Sequence, residues 1–227
     1  LTEADCGDSS TLSADQLKAS CHRFRQICQE HSGTAFPDAP WVQLAMAVEA
    51  VLRSWNNPRA VEYRRSNQIA DDLGTAVTVQ TMVFGNRDQF SCSGVAFSRD
   101  VVRGHRGIWG EYTVGAQGED QVAGKVTPSW LPDMEEWNAA LYRELCSQVE
   151  RLEAKRNHPV EVEFTVESGV LYILQVRKAV LTPLAAVQIA ANFYEEGRLT
   201  RAEVLARVTP QEFAAVRRKG FDAVELE

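Results

Sequence analysis

No run of apolar residues in this 227-residue chain approaches the roughly 20 that a membrane helix needs. The opening stretch, LTEADCGDSSTLS, has neither the basic nor the apolar region of a signal peptide. A cytoplasmic protein without a membrane partner is expected, and a first residue of Leu suggests a piece of a longer or processed product. Basic residues are in the minority. Their 24 Lys and Arg against 31 Asp and Glu leave a charge of −7, which argues against a non-specific nucleic-acid binder. The five cysteines, at 6, 21, 28, 92 and 146, form no CxxC pair, so neither a zinc ribbon nor a closed disulfide framework is indicated. The GxxxxGK[ST] pattern of a P-loop is missing, as are internal repeats and low-complexity segments.

What is present divides by period. Ser13 and Gln16 make a capping box for a helix from Ala14 to about His31, stopped by Gly33. Its stripe of Leu17, Cys21, Phe24 and Cys28 predicts core thiols rather than a metal site with His22 and His31. Asp38 is placed to cap a second helix carrying Trp41, Leu44, Val48, Val51, Leu52 and Trp55. Asn57 and Pro58 open a third, whose Arg59, Arg64 and Arg65 could face phosphate or simply solvent. Residues 1–68 therefore read as a helical subdomain.

From Gly74 the pattern is that of strands, over TAVTVQTMVFG, SGVAFSRD and GIWGEYTVG. Eight glycines between 85 and 124 indicate a backbone that bends sharply or meets a ligand closely, or a set of ordinary turns. Pro132 opens a long helix with Met134, Trp137, Leu141, Leu145, Val149 and Leu152 on one stripe. After residue 180 the chain is helical again, with Gly197 ending one helix and Thr200 and Thr209 capping two more.

Between the long helix and this arm lies VEVEFTVESGVLYILQVR, residues 160–177, a hairpin turning at Ser168 and Gly169. A two-residue loop pairs Phe164 with Ile173 and puts Gln175 and Arg177 on the valine face. A three-residue loop pairs Phe164 with Leu174 and Glu163 with Gln175, matching apolar to apolar and polar to polar, and is the register expected. It brings Glu161, Glu163, Gln175 and Arg177 to one surface. Carboxylate and amide oxygens suit Mg²⁺ and a guanidinium suits phosphate, although Glu-x-Glu alone also fits a solvated face with an ion pair.

Several stretches together resemble the nucleotide-binding part of the pyruvate, phosphate dikinase family. They are LRSWNNPRAVEYRR (52–65), GTAVTVQTMVFGN (74–86), SGVAFSRD (93–100), GIWGEYTVGAQGEDQVAG (107–124), EFTVESGVLYILQVR (163–177) and TPLAAVQIAANFYEEG (182–197), in the family's order. SWNNPRA and the GEY with AQGED distinguish this family from phosphoenolpyruvate synthases and rifampicin phosphotransferases, which share the VQxMV and LQxR elements.

The resemblance implies an α+β fold, a partial ATP-grasp domain over 69–179 with an all-helical subdomain before it (1–68) and a helical arm after it (180–227). It implies ATP and Mg²⁺ as cofactors, with Glu163 and Gln175 on the metal, Glu161 beside it and Arg177 as the catalytic residue. Gln80, Thr81, Met82 and Val83 match the strand edge that meets adenine, and Gln117, Gly118 and Glu119 the loop near sugar and phosphates. Glu161 stands where the family usually has Asp, and the segment around Arg99 lacks the family's Asn-Pro.

In the complete enzyme ATP, pyruvate and phosphate would become phosphoenolpyruvate, AMP and pyrophosphate. That chemistry calls for an upstream lobe, a phosphohistidine domain, a pyruvate-binding domain and possible homodimerisation through the complete protein. His22, His31, His105 and His158 lie in no context like the TSHAA motif of the phosphorylated histidine, and the chain alone is expected to be inactive. The alternative is a regulatory or interaction module whose nucleotide site has decayed.

Overall fold

Local capping chemistry sets the helix boundaries of the first part of the computed structural model, which describes residues 12–118 and 126–217. Helix α1 (Ala14–Ser32) starts at the Ser13–Gln16 capping box and ends at Gly33, whose φ of 72° is the left-handed conformation that glycine adopts at little cost. Helix α2 (Pro40–Ser54) follows Ala39, which offers no side-chain cap. Asp38, expected to cap it, is bonded instead to Arg25, at 2.5 Å. The full charge of a guanidinium outcompetes a peptide N–H for the same carboxylate. Helix α3 (Pro58–Ser66) is capped by Asn57, whose side chain accepts the Ala60 N–H.

Buried Arg64 organises the end of this unit. Its Nε donates to Asp71 Oδ1 at 2.7 Å, it also bonds the Trp55 carbonyl, and its guanidinium lies 4.1 Å from the Trp55 ring centroid. Arg64 is thereby a structural cation, and Arg65 pairs with Glu62 at 3.4 Å. The expectation of core thiols on α1 is overturned, since Cys21 and Cys28 are exposed and no described residue of α1 is buried. An apolar stripe specifies which side of a helix can be covered, not that something covers it.

The chain divides into two compact units at Gln80–Thr81, and the second holds both the sheet and the C-terminal helices. Strands β1 (Cys92–Phe97), β2 (Trp109–Val114), β3 (Ser129–Trp130), β4 (Val160–Glu167) and β5 (Val170–Lys178) form an antiparallel sheet in the order β3-β2-β1-β4-β5. Residues 75–84, expected as a strand, join no ladder among the described residues. Alternation permits an extended backbone, but a strand also needs a neighbour for its N–H and C=O groups.

One face of the sheet is the core. Val160, Val162, Phe164 and Val166 of β4 are at most 1% exposed and pack with Cys92, Ala96 and Tyr112 against α4 (Met134–Arg156). Gly94 has no alternative here, because a Cβ would lie 2.7 Å from the Phe164 ring and 2.5 Å from the Glu111 carbonyl. The predicted stripe of α4 is the buried one, with Met134, Leu141, Leu145 and Val149 inside. The helix is not continuous from Pro132: residues 131–133 form a 3-10 turn, and Asn138 leaves helical geometry, its Oδ1 accepting the Leu141 N–H.

The hairpin corrects the expected register. Ser168 and Gly169 have φ of 48° and 80°, the two positive values of a two-residue type I′ turn, and Phe164 pairs with Ile173 rather than Leu174. A β-bulge follows, in which Leu174 is the surplus residue, and from there Glu163 pairs with Gln175, Val162 with Val176 and Glu161 with Arg177. The polar side chains reach one face as expected, by a different route.

Beyond β5, Thr182 caps α5 (Pro183–Glu195), Thr200 caps α6 (Arg201–Arg207), and Thr209 accepts the Glu212 N–H at the start of α7 (Pro210–Arg217). A buried charge network joins α5 to the rest. Arg99, just after β1, donates to both Glu153 oxygens of α4 (2.9 and 2.8 Å) and both Glu196 oxygens beyond α5 (2.8 and 2.9 Å). Arg198 also reaches Glu153, at 2.5 Å, and stacks 3.7 Å over the ring of fully buried Phe193.

Three outcomes are expected. Removing one partner of such a buried pair strands a charge, so Arg99→Ala should lower the free energy of unfolding by about 3–5 kcal/mol, read by urea titration. Burial pushes the Glu153 carboxyl up, but hydrogen bonds from Arg99, Ser98 and Arg198 outweigh it and hold the group below the usual carboxylate range. This contribution is therefore complete above the unfolded pKa of about 4.3 and is lost as pH falls through the lower folded value, with a smaller acid dependence in Arg99→Ala. Deleting Leu174 removes the surplus residue but leaves Gln175 opposite Glu163 and Arg177 opposite Glu161, so thermal unfolding should stay cooperative with the same face polar.

Candidate nucleotide site

The second face of the sheet is open, and strand parity decides what it carries. Trp109, Phe97, Glu161 and Arg177 form one row across β2, β1, β4 and β5; Glu111, Val95, Glu163 and Gln175 form the next. A third row holds Thr113, Ser93, Thr165 and Tyr172, with the Ser93 and Thr165 hydroxyls 3.2 Å apart. The face is thus acidic along its middle, with one guanidinium at the β5 edge.

Arg177 bonds Glu163 and lies 3.1 Å from a Glu161 oxygen. Its half-exposed guanidinium spans both carboxylates, while Gln175 is exposed beside Glu163. All four residues expected at a metal and phosphate site are therefore together. Among the described residues no three His, Cys, Asp or Glu side chains cluster to hold a metal by themselves. The donors here are hard oxygens, two carboxylates and an amide, a set that fits Mg²⁺ completing its shell with water and phosphate oxygens.

At the turn end of the hairpin the chain crosses this face. Gly85 lies so close to the sheet that a Cβ would meet Ser93 Oγ at 2.1 Å and the Ala116 carbonyl at 2.6 Å. The Gln117 side chain brackets this crossing, accepting the Gly85 N–H at 2.9 Å and donating to the Val83 carbonyl at 3.5 Å. On the other side Glu167 accepts the Phe84 N–H at 3.1 Å and pairs with Arg87. The bond from Arg87, followed by the one from Phe84, holds the Glu167 carboxyl below its usual range.

Just before the crossing, Thr81 and Met82 are exposed and Val83 is half-buried. Gln80 is the last residue of the first unit and is exposed. Gly118 is exposed, and Glu119 lies outside the described residues. Arg99 is committed to the buried carboxylates of Glu153 and Glu196.

Sequence reading did not single out Glu111, Ser93 or Thr165, although alternation along GEYTV and EFTVE carries the signal that they share the face of Glu163. Glu167 and Asp88 were missed as well. Their partners are backbone and hydroxyl groups up to 83 residues away, which no spacing reveals.

Residues 41–132 match the family model described as pyruvate phosphate dikinase, AMP/ATP-binding domain. The chain is 42% identical to the pyruvate, phosphate dikinase of Clostridium symbiosum over 217 residues, which cover 95% of the chain and 25% of that protein. It is 43% identical to that of Giardia intestinalis over 216 residues (93% and 24%). Against the chloroplastic pyruvate, phosphate dikinase 1 of Oryza sativa the identity is 40% over 203 residues (89% and 21%). The chain spans about a quarter of the length of the curated relatives it matches. From these matches the chain belongs to the pyruvate, phosphate dikinase family, in the region of its AMP/ATP-binding domain.

Proposed function

We propose that this chain supplies one wall of a Mg²⁺-ATP site of ATP-grasp type. The observation that carries the reading is the convergence of Glu161, Glu163, Gln175 and Arg177 on one open face, in a chain of this family. Glu163 and Gln175 would hold the metal with Glu161 beside it. Arg177 would act as the catalytic cation, stabilising the transferring phosphoryl group by position and charge. The metal would neutralise phosphate charge.

Gln80, Thr81, Met82 and Val83 would meet adenine, mainly through the backbone. Gln117, Gly118 and Glu119 would lie near sugar and phosphates, with the Gln117 amide acting by way of the Val83 and Gly85 backbone.

In the longer protein this wall would work with an upstream lobe to phosphorylate a histidine, and pyruvate would then become phosphoenolpyruvate with release of AMP and pyrophosphate. The phosphohistidine and pyruvate-binding domains are its proposed partners. No described helix is long and apolar enough to cross a membrane, and the proposed setting is the cytoplasm.

Calorimetric titration with ATP should show binding that depends on Mg²⁺ and is lost in a Glu163→Ala, Gln175→Ala double variant. Binding that ignores the metal, or survives the double substitution, would contradict the site. Silence in a longer product that includes the upstream lobe would instead favour a non-catalytic regulatory or interaction module.

A further inference from the structure

The crossing segment poses a question that the metal and phosphate residues do not answer. Among the described residues, no backbone group of Thr81, Met82 or Val83 takes part in a hydrogen bond except the Val83 carbonyl. An unpaired extended segment next to a site is floppy unless side chains hold it. Here the hold is built at one point. Glu167 takes the Phe84 N–H from one side, Gln117 takes the Gly85 N–H from the other, and Gly85 itself is pressed onto the sheet with no room for a Cβ.

The grip on Glu167 is itself anchored. Arg87 pairs with it, and the next residue, Asp88, collects the Ser168 hydroxyl at 2.6 Å, the Ser91 hydroxyl at 2.7 Å and the Phe90 N–H at 2.9 Å. Ser168 returns its N–H to Ser91 Oγ at 2.9 Å, and Gly169 donates to the Phe90 carbonyl at 3.1 Å. The hairpin tip and the loop of residues 84–91 are thereby one body.

The strand that ends in this tip also carries Glu163, proposed above as a metal ligand. Glu163 and Glu167 lie four residues apart on one face of β4, a span of about 13 Å at the usual rise of a strand. This is the scale of an extended nucleoside triphosphate. The strand that carries the proposed phosphate end of the site also fixes, at its tip, the backbone proposed to meet the base.

We propose that Glu167 is a positioning residue for base recognition, holding the Val83–Gly85 backbone so that the free groups of Thr81–Val83 are presented to the purine. The role rests on the nucleotide-binding reading above. It acts through the Phe84 N–H and touches no part of the ligand.

The test uses the whole chain and its Glu167→Ala and Glu167→Gln variants. Each is titrated with Mg²⁺-ATP and with Mg²⁺-tripolyphosphate, and amide exchange is followed over residues 81–86. Loss of one charge-assisted hydrogen bond corresponds to roughly tenfold. Glu167→Ala should weaken ATP about tenfold, leave tripolyphosphate unchanged, and speed exchange at Phe84 and Gly85 about tenfold. Glu167→Gln keeps an acceptor for Phe84 and should restore ATP binding to within about threefold of the parent.

Equal losses for both ligands, unchanged ATP binding, or unaccelerated exchange in a chain that does bind ATP would overturn the positioning role alone. A parent chain that binds neither ligand, or tripolyphosphate without ATP, would overturn the nucleotide reading, and the positioning role with it. If Glu167→Ala fails to fold, Arg87→Ala keeps the Phe84 bond while loosening the carboxylate. It should give smaller changes in ATP affinity and exchange of the same sign, and an unchanged Arg87→Ala overturns the role.

Discussion

The open face depends on one residue being looped out of its ladder. A strand presents side chains alternately, so each face of a hairpin follows from its turn and from any residue added between the turn and the site. The type I′ turn at Ser168–Gly169 matches the natural twist of the strands, but continued without interruption it sets Gln175 opposite Val162 and Arg177 opposite Val160. Two polar groups would then enter a core where Val160 and Val162 are fully buried. Looping Leu174 out of the ladder removes the conflict. As the extra residue of the bulge it lets the favoured turn and the favoured face coexist, and Glu161, Glu163, Gln175 and Arg177 converge as a result.

A second constraint works from beneath. Arg99, Glu153, Glu196 and Arg198 bring two guanidinium groups and two carboxylates into a region where Arg99 and Glu153 are almost inaccessible. Such charges are costly to desolvate, and they persist because each carboxylate accepts several donors while Phe193 lies against the guanidinium faces. Its structural product is attachment. The strand that ends at Phe97, the long helix α4 and the end of α5 meet at Arg99, so the C-terminal helices belong to the same unit as the sheet. Arg99 is consequently a residue of architecture, and the cation of the open face is Arg177.

What could be read from the sequence follows the range of the interactions. Caps at Ser13, Asn57, Thr200 and Thr209 were legible because a cap is a bond between residues three apart. Asp38 failed as a cap because a stronger partner, Arg25, lies 13 residues back. The alternation of residues 75–84 promised a strand, and the stripe of α1 promised buried thiols; both patterns describe what a segment could cover or pair with, and partners are a property of the fold. The site shows the same division. Its four expected side chains were legible from the alternation of charge in the hairpin, even though turn chemistry and face pattern disagreed on the register and a bulge reconciled them. Glu167 and Gln117 act on backbone 83 and 32 residues away, and no pattern within their own strands announces that.

The distribution of satisfied groups points in one direction. Among the described residues no buried side-chain nitrogen or oxygen lacks a hydrogen-bond partner, so the interior leaves little polar capacity unused. Unused capacity is found instead along the backbone of Thr81–Val83 and on the open carboxylate and amide oxygens of β4 and β5. If this merely reflected loose folding, the adjoining residues would share it. They do not: Phe84 and Gly85 are held by two side chains, Asp88 accepts three hydrogen bonds, and Gly85 sits against the sheet with no space to spare. A segment with free donors and acceptors beside one so tightly fixed suits the base recognition proposed for it, since a ligand gains most from groups whose orientation is set before it arrives.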